Sequence, residues 1–164
     1  MNRKINNILT LSIIVLIIFL DQSSKFFFIN YLKTVPGWKI TVIPLMDIVY
    51  SWNYGISFGM FSNYYQYSNN VFLLINSCIV IYLIFLLLKS ESKLETIGYN
   101  MIIGGALGNI IDRITYGGVF DFIRLHYHDY DFPIFNMADS FITIGTIIII
   151  FDNFLLQNRM VKTI

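Results

Sequence analysis

The chain has 164 residues, of which 56% are hydrophobic and only 13% are charged, and its mean hydropathy is +0.65. Soluble domains carry about 25% charged residues, so the composition excludes an ordinary soluble domain and indicates an integral membrane protein. The length allows one domain, residues 1–164. A formal net charge of +1 gives no electrostatic reason to expect nucleic acid as a partner.

The first apolar segment follows a basic N-terminal flank and predicts a membrane helix over about residues 8–28. A cleaved signal peptide would end in small residues of the A-x-A type. Here "DQSSKFFF" follows the apolar core, and apolar character then resumes. We therefore expect this helix to be retained.

Three further segments approach the roughly 20 apolar residues that a membrane-spanning helix needs. They cover about residues 71–88, 97–115 and 135–156. The sequence therefore predicts an all-α membrane fold with four transmembrane helices. Cys78, the only cysteine, lies in the second of them and is expected to be a buried thiol that forms no internal disulfide.

Basic residues in the short flanks predict the orientation, because they are enriched on the cytoplasmic side. They lie before helix 1, between helices 2 and 3, and after helix 4: Arg3, Lys4, Lys89, Lys93, Arg159 and Lys162. We expect both termini in the cytoplasm. The two longer connections, about 29–70 and 116–134, are then on the outer side.

The first outer connection favours β-structure over about residues 38–60. The stretches "WKITVIPL" and "DIVYSWNYG" alternate loosely and are rich in β-branched and aromatic residues, with Pro44 at a turn between them. We expect a small β-structure on the outer membrane surface.

Ionisable residues inside apolar helices are costly and face a bundle interior or a wet cavity. Asp21 and Lys25 are four residues apart, which places them on one helical face within reach of an ion pair. This pair is either a structural element near the outer end of helix 1 or a support for an adjacent site.

Helix 3 combines a packing motif with a polar strip. Gly104 and Gly108 form a small-xxx-small pattern, which allows close approach of another helix. The polar strip at the outer end comprises Gly105, Asn109, Asp112 and the adjacent Arg113. Its charged residues either neutralise nearby charges or brace a loop.

Two further aspartates lie near the same membrane depth. Asp121 follows helix 3, and Asp139 begins helix 4 in a polar stripe that includes Asn136, Thr143 and Thr146. We expect that stripe to face protein or water. Carboxylates held close together share a proton, so that one can activate water while the other protonates a carbonyl. From spacing alone, the two aspartates are either such a pair or anchors at the membrane interface.

The segment "HYHDYD" at 126–131 offers residue types that zinc accepts, namely His126, His128, Asp129 and Asp131. Alternating residues in a short exposed loop more often form a solvated polar tip. We expect no metal and no other cofactor.

Five motifs in order resemble the bacterial lipoprotein signal peptidases (signal peptidase II), over essentially the whole chain. They are "DQSSK" at 21–25, "NYGISFG" at 53–59, "GGALGNIIDR" at 104–113, "FDFI" at 120–123 and "FNMADS" at 135–140. Each motif is modest alone, whereas five in order are specific.

The resemblance implies a single-domain aspartic endopeptidase of the bacterial cytoplasmic membrane, with its active site toward the outer face. Such enzymes remove the signal peptide from prolipoproteins just before a cysteine that carries diacylglyceryl. We expect these precursors and membrane lipid as partners, and a monomer. The catalytic residues map to Asp121 and Asp139. The supporting residues map to Asp21, Lys25, Asn53, Gly55, Asn109, Asp112, Arg113, Asn136 and Ala138.

Two positions depart from the family pattern. Ile56 replaces a usual alanine, and Phe120 stands where a β-branched residue is more usual. Ile56 is expected to change the shape of the cleft for lipid and peptide, and Phe120 the surroundings of Asp121. The resemblance implies hydrolysis by an activated water, and the sequence leaves open which aspartate starts protonated.

Two other classes of function use the same residues. A conduit for protons or small solutes would have ionisable groups spread through the membrane depth, whereas most of the aspartates here gather toward one face, with Asp152 as the exception. A non-catalytic assembly subunit would explain the glycines but not the paired aspartates.

Overall fold

A computed structural model describes residues 7–55 and 65–161. Most of this part of the chain forms four long helices: α1 (Asn7–Leu32), α2 (Tyr65–Lys89), α3 (Lys93–Tyr116) and α4 (Met137–Val161). Each predicted apolar segment lies largely within one of these helices. The helices are longer than predicted because polar and aromatic residues at the membrane edges continue the helical turns.

Three of the helices are long and apolar enough to cross a membrane, within the described residues. These spans are Asn7–Leu32, Ser68–Lys89 and Met137–Leu155. The predicted four transmembrane helices are thus confirmed for three, and α3 is a fourth long helix that is less apolar. The molecule is a mostly helical membrane protein with a small antiparallel sheet.

The ends of α3 follow ordinary capping rules. The side chain of Ser92 accepts a hydrogen bond from the backbone N–H of Glu95 at the start of the helix. At the other end, Gly117 adopts the left-handed conformation with φ of 74°, and its N–H donates to the carbonyl of Arg113. These caps define both ends of the helix that carries the polar strip.

The sheet has four strands in the order β1 to β4: β1 (Lys39–Ile43), β2 (Met46–Asn53), β3 (Val119–Tyr127) and β4 (Tyr130–Asp131). The predicted β-structure at about 38–60 includes β1 and β2, and residues 56–60 lie outside the described residues. Sequence reasoning missed β3 and treated 126–131 as a loop. In the structure β3 pairs antiparallel with β2, so Asp121 lies on a strand opposite Ser51.

Helix α3 lies centrally and packs against α1, α2 and α4. Its glycines are at the closest approaches: a Cβ on Gly104 would lie 2.9 Å from Cβ of Ile17 in α1. A Cβ on Gly105 would lie 2.5 Å from the carbonyl oxygen of Ala138 in α4. The small-xxx-small prediction is thus confirmed for the contact with α1.

An aromatic core joins the sheet to α1. Phe120 and Phe122 are buried on one face of β3, and the ring of Phe122 lies 4.7 Å from that of Phe28 in α1. Successive side chains of a strand point to opposite faces. Asp121, between the two phenylalanines, is therefore directed away from this core. The unusual Phe120 fills the core beside Asp121.

The prediction of a buried Cys78 is wrong. Cys78 is exposed on α2. Thr143 and Thr146 are exposed as well, and each hydroxyl donates to a carbonyl of its own helix, at 2.8 Å in both cases. A threonine that hydrogen-bonds within its helix is satisfied without a further partner. That the polar stripe of α4 faces protein or water stays a prediction beyond Asp139.

Candidate active site

Asp121 and Asp139 line one cavity of about 250 Å³. Its other polar lining comes from Asn53, Asn76, Asn109 and Arg113, and its apolar lining from Phe72, Ala106, Val119 and Ile142. The structure therefore brings the two predicted aspartates, and three of the nine predicted supporting residues, to a single concave site.

Backbone pairing brings the aspartates together. Phe135, just before α4, exchanges hydrogen bonds with Ile123 of β3, with N–O distances of 2.8 and 3.1 Å. The start of α4 is thus attached to the strand that carries Asp121. Residues far apart in sequence become neighbours because of this bridge.

Asn136 and Asp139 form a reciprocal cap at the start of α4. The side-chain oxygen of Asn136 accepts from the N–H of Asp139 at 3.0 Å, and Asp139 accepts from the N–H of Asn136 at 3.1 Å. This is the capping-box arrangement, which satisfies two N–H groups at a helix start. Asn136, a member of the predicted polar stripe, is thus a hydrogen-bonding neighbour of Asp139.

Asp121 is held by two amides. Asn136 donates to one carboxylate oxygen at 2.7 Å, and Asn53 donates to the other at 3.0 Å. Burial and the nearby charge of Asp139 together raise the pKa of Asp121 to about 6. The two donated hydrogen bonds act in the opposite direction.

Asp139 is linked to a buried cation through Asn109. The Asn109 amide donates to Asp139 at 2.9 Å, while its oxygen accepts from the ammonium of Lys25 at 3.0 Å and from Asn136 at 3.2 Å. Lys25 therefore polarises the amide that holds Asp139. The ammonium is not itself paired with that carboxylate.

Lys25 lies between two buried aspartates. Its ammonium is 2.8 Å from a carboxylate oxygen of Asp21 and 2.8 Å from one of Asp112. The amide of Gln22 also donates to both carboxylates, at 3.1 and 2.9 Å. The predicted Asp21–Lys25 pair is confirmed, but it is part of a triad that includes Asp112.

The triad also fixes the two backbone segments that carry the cavity aspartates. Asp21 accepts from the N–H of Ala138 at 2.9 Å, next to Asp139. Asp112 accepts from the N–H of Phe120 at 3.2 Å, next to Asp121. The polar strip of α3 therefore braces β3 and neutralises charge, so both interpretations of Asp112 hold.

Arg113 lies between the cavity and α2. Its guanidinium donates to Asn69 at 3.3 Å and lies 5.1 Å from the ring centre of Phe72. The amide of Asn69 in turn donates to the backbone carbonyl of Arg113. These contacts hold a buried arginine close to two carboxylates.

Gly55 permits a close approach at the cavity rim. It has φ of 84°, and a Cβ there would collide with the ring of Phe72. Its N–H donates to the side chain of Asn53 at 2.9 Å. The adjacent Ile56 lies outside the described residues, so its expected effect on the cleft stays a prediction.

The residues considered for zinc do not converge. His126 contacts the buried Asp47 at 3.2 Å, and Asp131 pairs with Arg124 at 2.8 Å. In the described ranges, no cluster of three or more metal-ligating side chains occurs. Asp47 also pairs with Lys39, and this contact lowers the pKa of Asp47. In the segment 126–131, the first two and the last two residues lie in β3 and β4, and a turn joins them.

Sequence reasoning missed four polar residues of this region: Gln22, Asp47, Asn69 and Asn76. Gln22 is the only one within a quoted motif, "DQSSK". Asp47 and Asn69 carry no spacing signal, because their partners lie on other elements. Asn76 is a single amide without a hydrogen-bonding partner among the described residues.

The fold and the site define a helical membrane protein with a paired-carboxylate cavity at one end of the helix bundle. A model of the signal peptidase (SPase) II family matches residues 13–155. The chain belongs to the signal peptidase II family and is a peptidase. This membership decides against the conduit and the assembly subunit.

Two similar proteins carry the name of the same family of peptidases. The lipoprotein signal peptidase of Rickettsia akari is 52% identical over 141 residues, which are 86% of this chain and 72% of the relative. The lipoprotein signal peptidase of Rickettsia typhi is 51% identical over 142 residues, or 87% of this chain and 72% of the relative.

Two solved structures of a bacterial membrane enzyme, determined by the in meso method, have the same fold. One superposes with a TM-score of 0.77 at 33% identity and covers 97% of this chain and 94% of that chain. The other has a TM-score of 0.78 at 34% identity, with 93% and 96% covered.

Replacing Lys25, the cation of the triad, should destabilise the helix bundle. Lys25→Met leaves Asp21 and Asp112 buried without their counter-charge, and breaking a buried ion pair in this way costs about 3–5 kcal/mol. Thermal unfolding in detergent should show a large decrease in Tm.

The matched control is Lys39→Met. The Lys39 side chain is 45% exposed, and its partner Asp47 keeps contacts with Arg124 and His126. A much smaller decrease is expected. Equal Tm values for Lys25→Met and the wild type would contradict the role of the triad.

Proposed function

We propose that this peptidase removes the signal peptide from diacylglyceryl-modified prolipoproteins and cleaves just before the lipidated cysteine. The relatives are lipoprotein signal peptidases by name. The observation that supports the proposal is the pair of carboxylates, Asp121 and Asp139, lining one cavity and held by neutral amides.

The proposed mechanism uses one water and no covalent intermediate. Asp139 takes a proton from the water, whose oxygen attacks the scissile carbonyl carbon. Asp121 donates its proton to the carbonyl oxygen, giving a tetrahedral intermediate. The carbon–nitrogen bond then breaks, and the leaving amine receives a proton from the pair.

The environments of the two carboxyls support this division. Burial and the neighbouring charge raise the pKa of Asp121 to about 6, which favours its protonated form. Asp139 is at the first turn of α4 and accepts a backbone N–H. The positive end of the helix dipole favours a negative charge there.

The remaining predicted residues support the pair in this proposal. Asn53, Asn109 and Asn136 orient the carboxyls through the hydrogen bonds described above. Asp21, Lys25, Asp112 and Ala138 hold the backbone beside them, Arg113 supplies positive charge near the cavity, and Gly55 shapes the rim.

We further propose that α3 is the fourth span. It lies among the other three helices, and its polar side chains contact α1, α2 and α4. A helix enclosed by protein does not need the apolar surface of a lipid-facing one. The chain, residues 1–164, is then one membrane domain and functions as a monomer.

The positive-inside rule supports the orientation. Lys89 and Lys93 flank the α2–α3 link, on the side opposite the sheet and the cavity. In the proposed arrangement both termini are in the cytoplasm, and the cavity faces the outer side of the bacterial cytoplasmic membrane. The diacylglyceryl chains of the substrate then remain in lipid.

Removing either carboxyl should abolish cleavage. Asp121→Asn and Asp139→Asn keep the side-chain shape and lose the acid–base function. Purified variants should not cleave a synthetic prolipoprotein peptide that carries diacylglyceryl-cysteine, which the wild type cleaves.

The control Asp129→Asn alters an exposed aspartate of the β3–β4 turn and should retain wild-type turnover. Substantial turnover by either cavity variant would contradict the assignment of the pair. A wild type that cleaves lipidated and unlipidated peptides equally well would contradict the substrate.

The pH dependence of activity should report on Asp121. Its protonated form predominates below about pH 6, so kcat/KM should decrease as pH rises through this region. The hydrogen bond from Asn53 lowers the pKa of Asp121. Asn53→Ala should therefore raise this pKa and move the alkaline limb to higher pH.

The measurement is the pH profile of kcat/KM. Asn30→Ala is the control, because this exposed amide donates within its own helix and should leave the profile unchanged. A limb that stays in place, or moves to lower pH in Asn53→Ala, would exclude Asp121 as the acid.

Orientation can be measured by cysteine labelling in a Cys78→Ser background. Glu91 lies in the α2–α3 link, and Asp129 lies in the β3–β4 turn. A membrane-impermeant maleimide added to spheroplasts should label Asp129→Cys. It should label Glu91→Cys only after permeabilisation, and the reverse pattern would overturn the topology.

A further inference from the structure

Asn76 is a polar residue in an unusual place. It lies in the middle of α2, which contains the most apolar of the three candidate spans. The side chain is half-buried and lines the cavity that contains Asp121 and Asp139. A polar amide at this depth is costly unless it has a hydrogen-bonding partner.

The other amides of the cavity wall already have partners. Asn53 donates to Asp121, and Asn109 donates to Asp139. Asn76 makes no hydrogen bond with any residue in the described part of the chain. Its donor and acceptor groups are therefore available to whatever occupies the cavity.

A neighbouring residue shows how a polar group in α2 is otherwise satisfied. The hydroxyl of Ser77 donates to the carbonyl of Leu73 in the same helix at 2.7 Å. This internal bond removes the need for another partner. Asn76 has no such bond, so a purely local role within the helix does not account for it.

Helices α2 and α4 both pack against α3, and the cavity has Asn76 on one of them and Asp139 on the other. A peptide in the cavity therefore lies between the amide and the carboxyl. Peptide bonds of a regular helix have their N–H and C=O groups paired within the helix. To be hydrolysed, the substrate must unwind locally, and this exposes N–H and C=O groups in apolar surroundings.

We infer that Asn76 binds the main chain of the unwound substrate beside the scissile bond. An asparagine side chain offers both a donor and an acceptor, which suits an exposed peptide unit. Asn76 is then a substrate-binding residue on the wall opposite the catalytic pair. This inference rests on the proposed function.

The test compares Asn76→Leu with the wild type on a fluorescent peptide that carries diacylglyceryl-cysteine. Leucine has a similar size and suits an apolar helix, so the variant should fold with an unchanged or higher Tm. The lost hydrogen bond acts in the ground state and the transition state alike, so KM should rise about tenfold with kcat nearly unchanged.

Ser77→Ala is the matched control, because it removes the adjacent polar group of α2 whose bond is internal. It should leave KM and kcat at wild-type values. Asn76→Gln, which keeps the amide, should recover part of the loss in KM that Asn76→Leu shows. This partial recovery is not expected if Asn76 only fills space.

A wild-type KM in Asn76→Leu would overturn the inference, and so would a lower Tm with unchanged kinetics. Neither result would affect the proposed function, which fails instead if the wild type does not cleave the lipidated peptide. The two failures are therefore distinguishable in the same assay.

Discussion

The structure depends on one buried cation. Lys25 contacts Asp21 and Asp112, and the three side chains are at most 3% exposed. Two carboxylates and one ammonium cannot be buried unless further donors satisfy the remaining oxygens. Those donors are the amide of Gln22 and the N–H groups of Ala138 and Phe120. Ala138 and Phe120 directly precede Asp139 and Asp121 in the chain. The hydrogen bonds that satisfy the buried triad therefore also position the cavity carboxyls.

Neutral amides separate this charged cluster from the paired carboxyls of Asp121 and Asp139. Asn109 accepts from Lys25 and donates to Asp139, so the cation strengthens the donor without pairing directly with the carboxylate. A cation in direct contact would favour the ionised carboxyl and lower its pKa. The amides of Asn53 and Asn136 are also neutral donors, and both hydrogen-bond to Asp121. They orient the carboxyls and leave one able to keep a proton at mildly acidic pH.

Much of this arrangement is local and could therefore be predicted from the sequence. Apolar runs located the helices, and the spacing of Asp21 and Lys25 predicted their ion pair. The parts that were missed are pairings between distant segments. Strand β3 carries Asp121 between two phenylalanines and pairs with β2, which is distant in the sequence. The alternation of apolar and polar side chains in β3 is too short to predict a strand by itself. Asn69 and Asn76 are single amides in an apolar helix, and Thr143 shows that polar spacing does not guarantee a buried face.

The four helices contribute unequally to the triad and the cavity carboxyls. The triad and the cavity carboxyls are carried by α1, α3, β3 and the start of α4. Helix α2 contributes none of these groups, and its contact with α3 is largely apolar, including Val80, Leu87 and Ile103. Its polar contacts with α3 are the hydrogen bonds between Asn69 and Arg113, and these do not involve the carboxyls. The wall that carries Asn76 and Phe72 therefore makes none of the hydrogen bonds that orient Asp121 and Asp139.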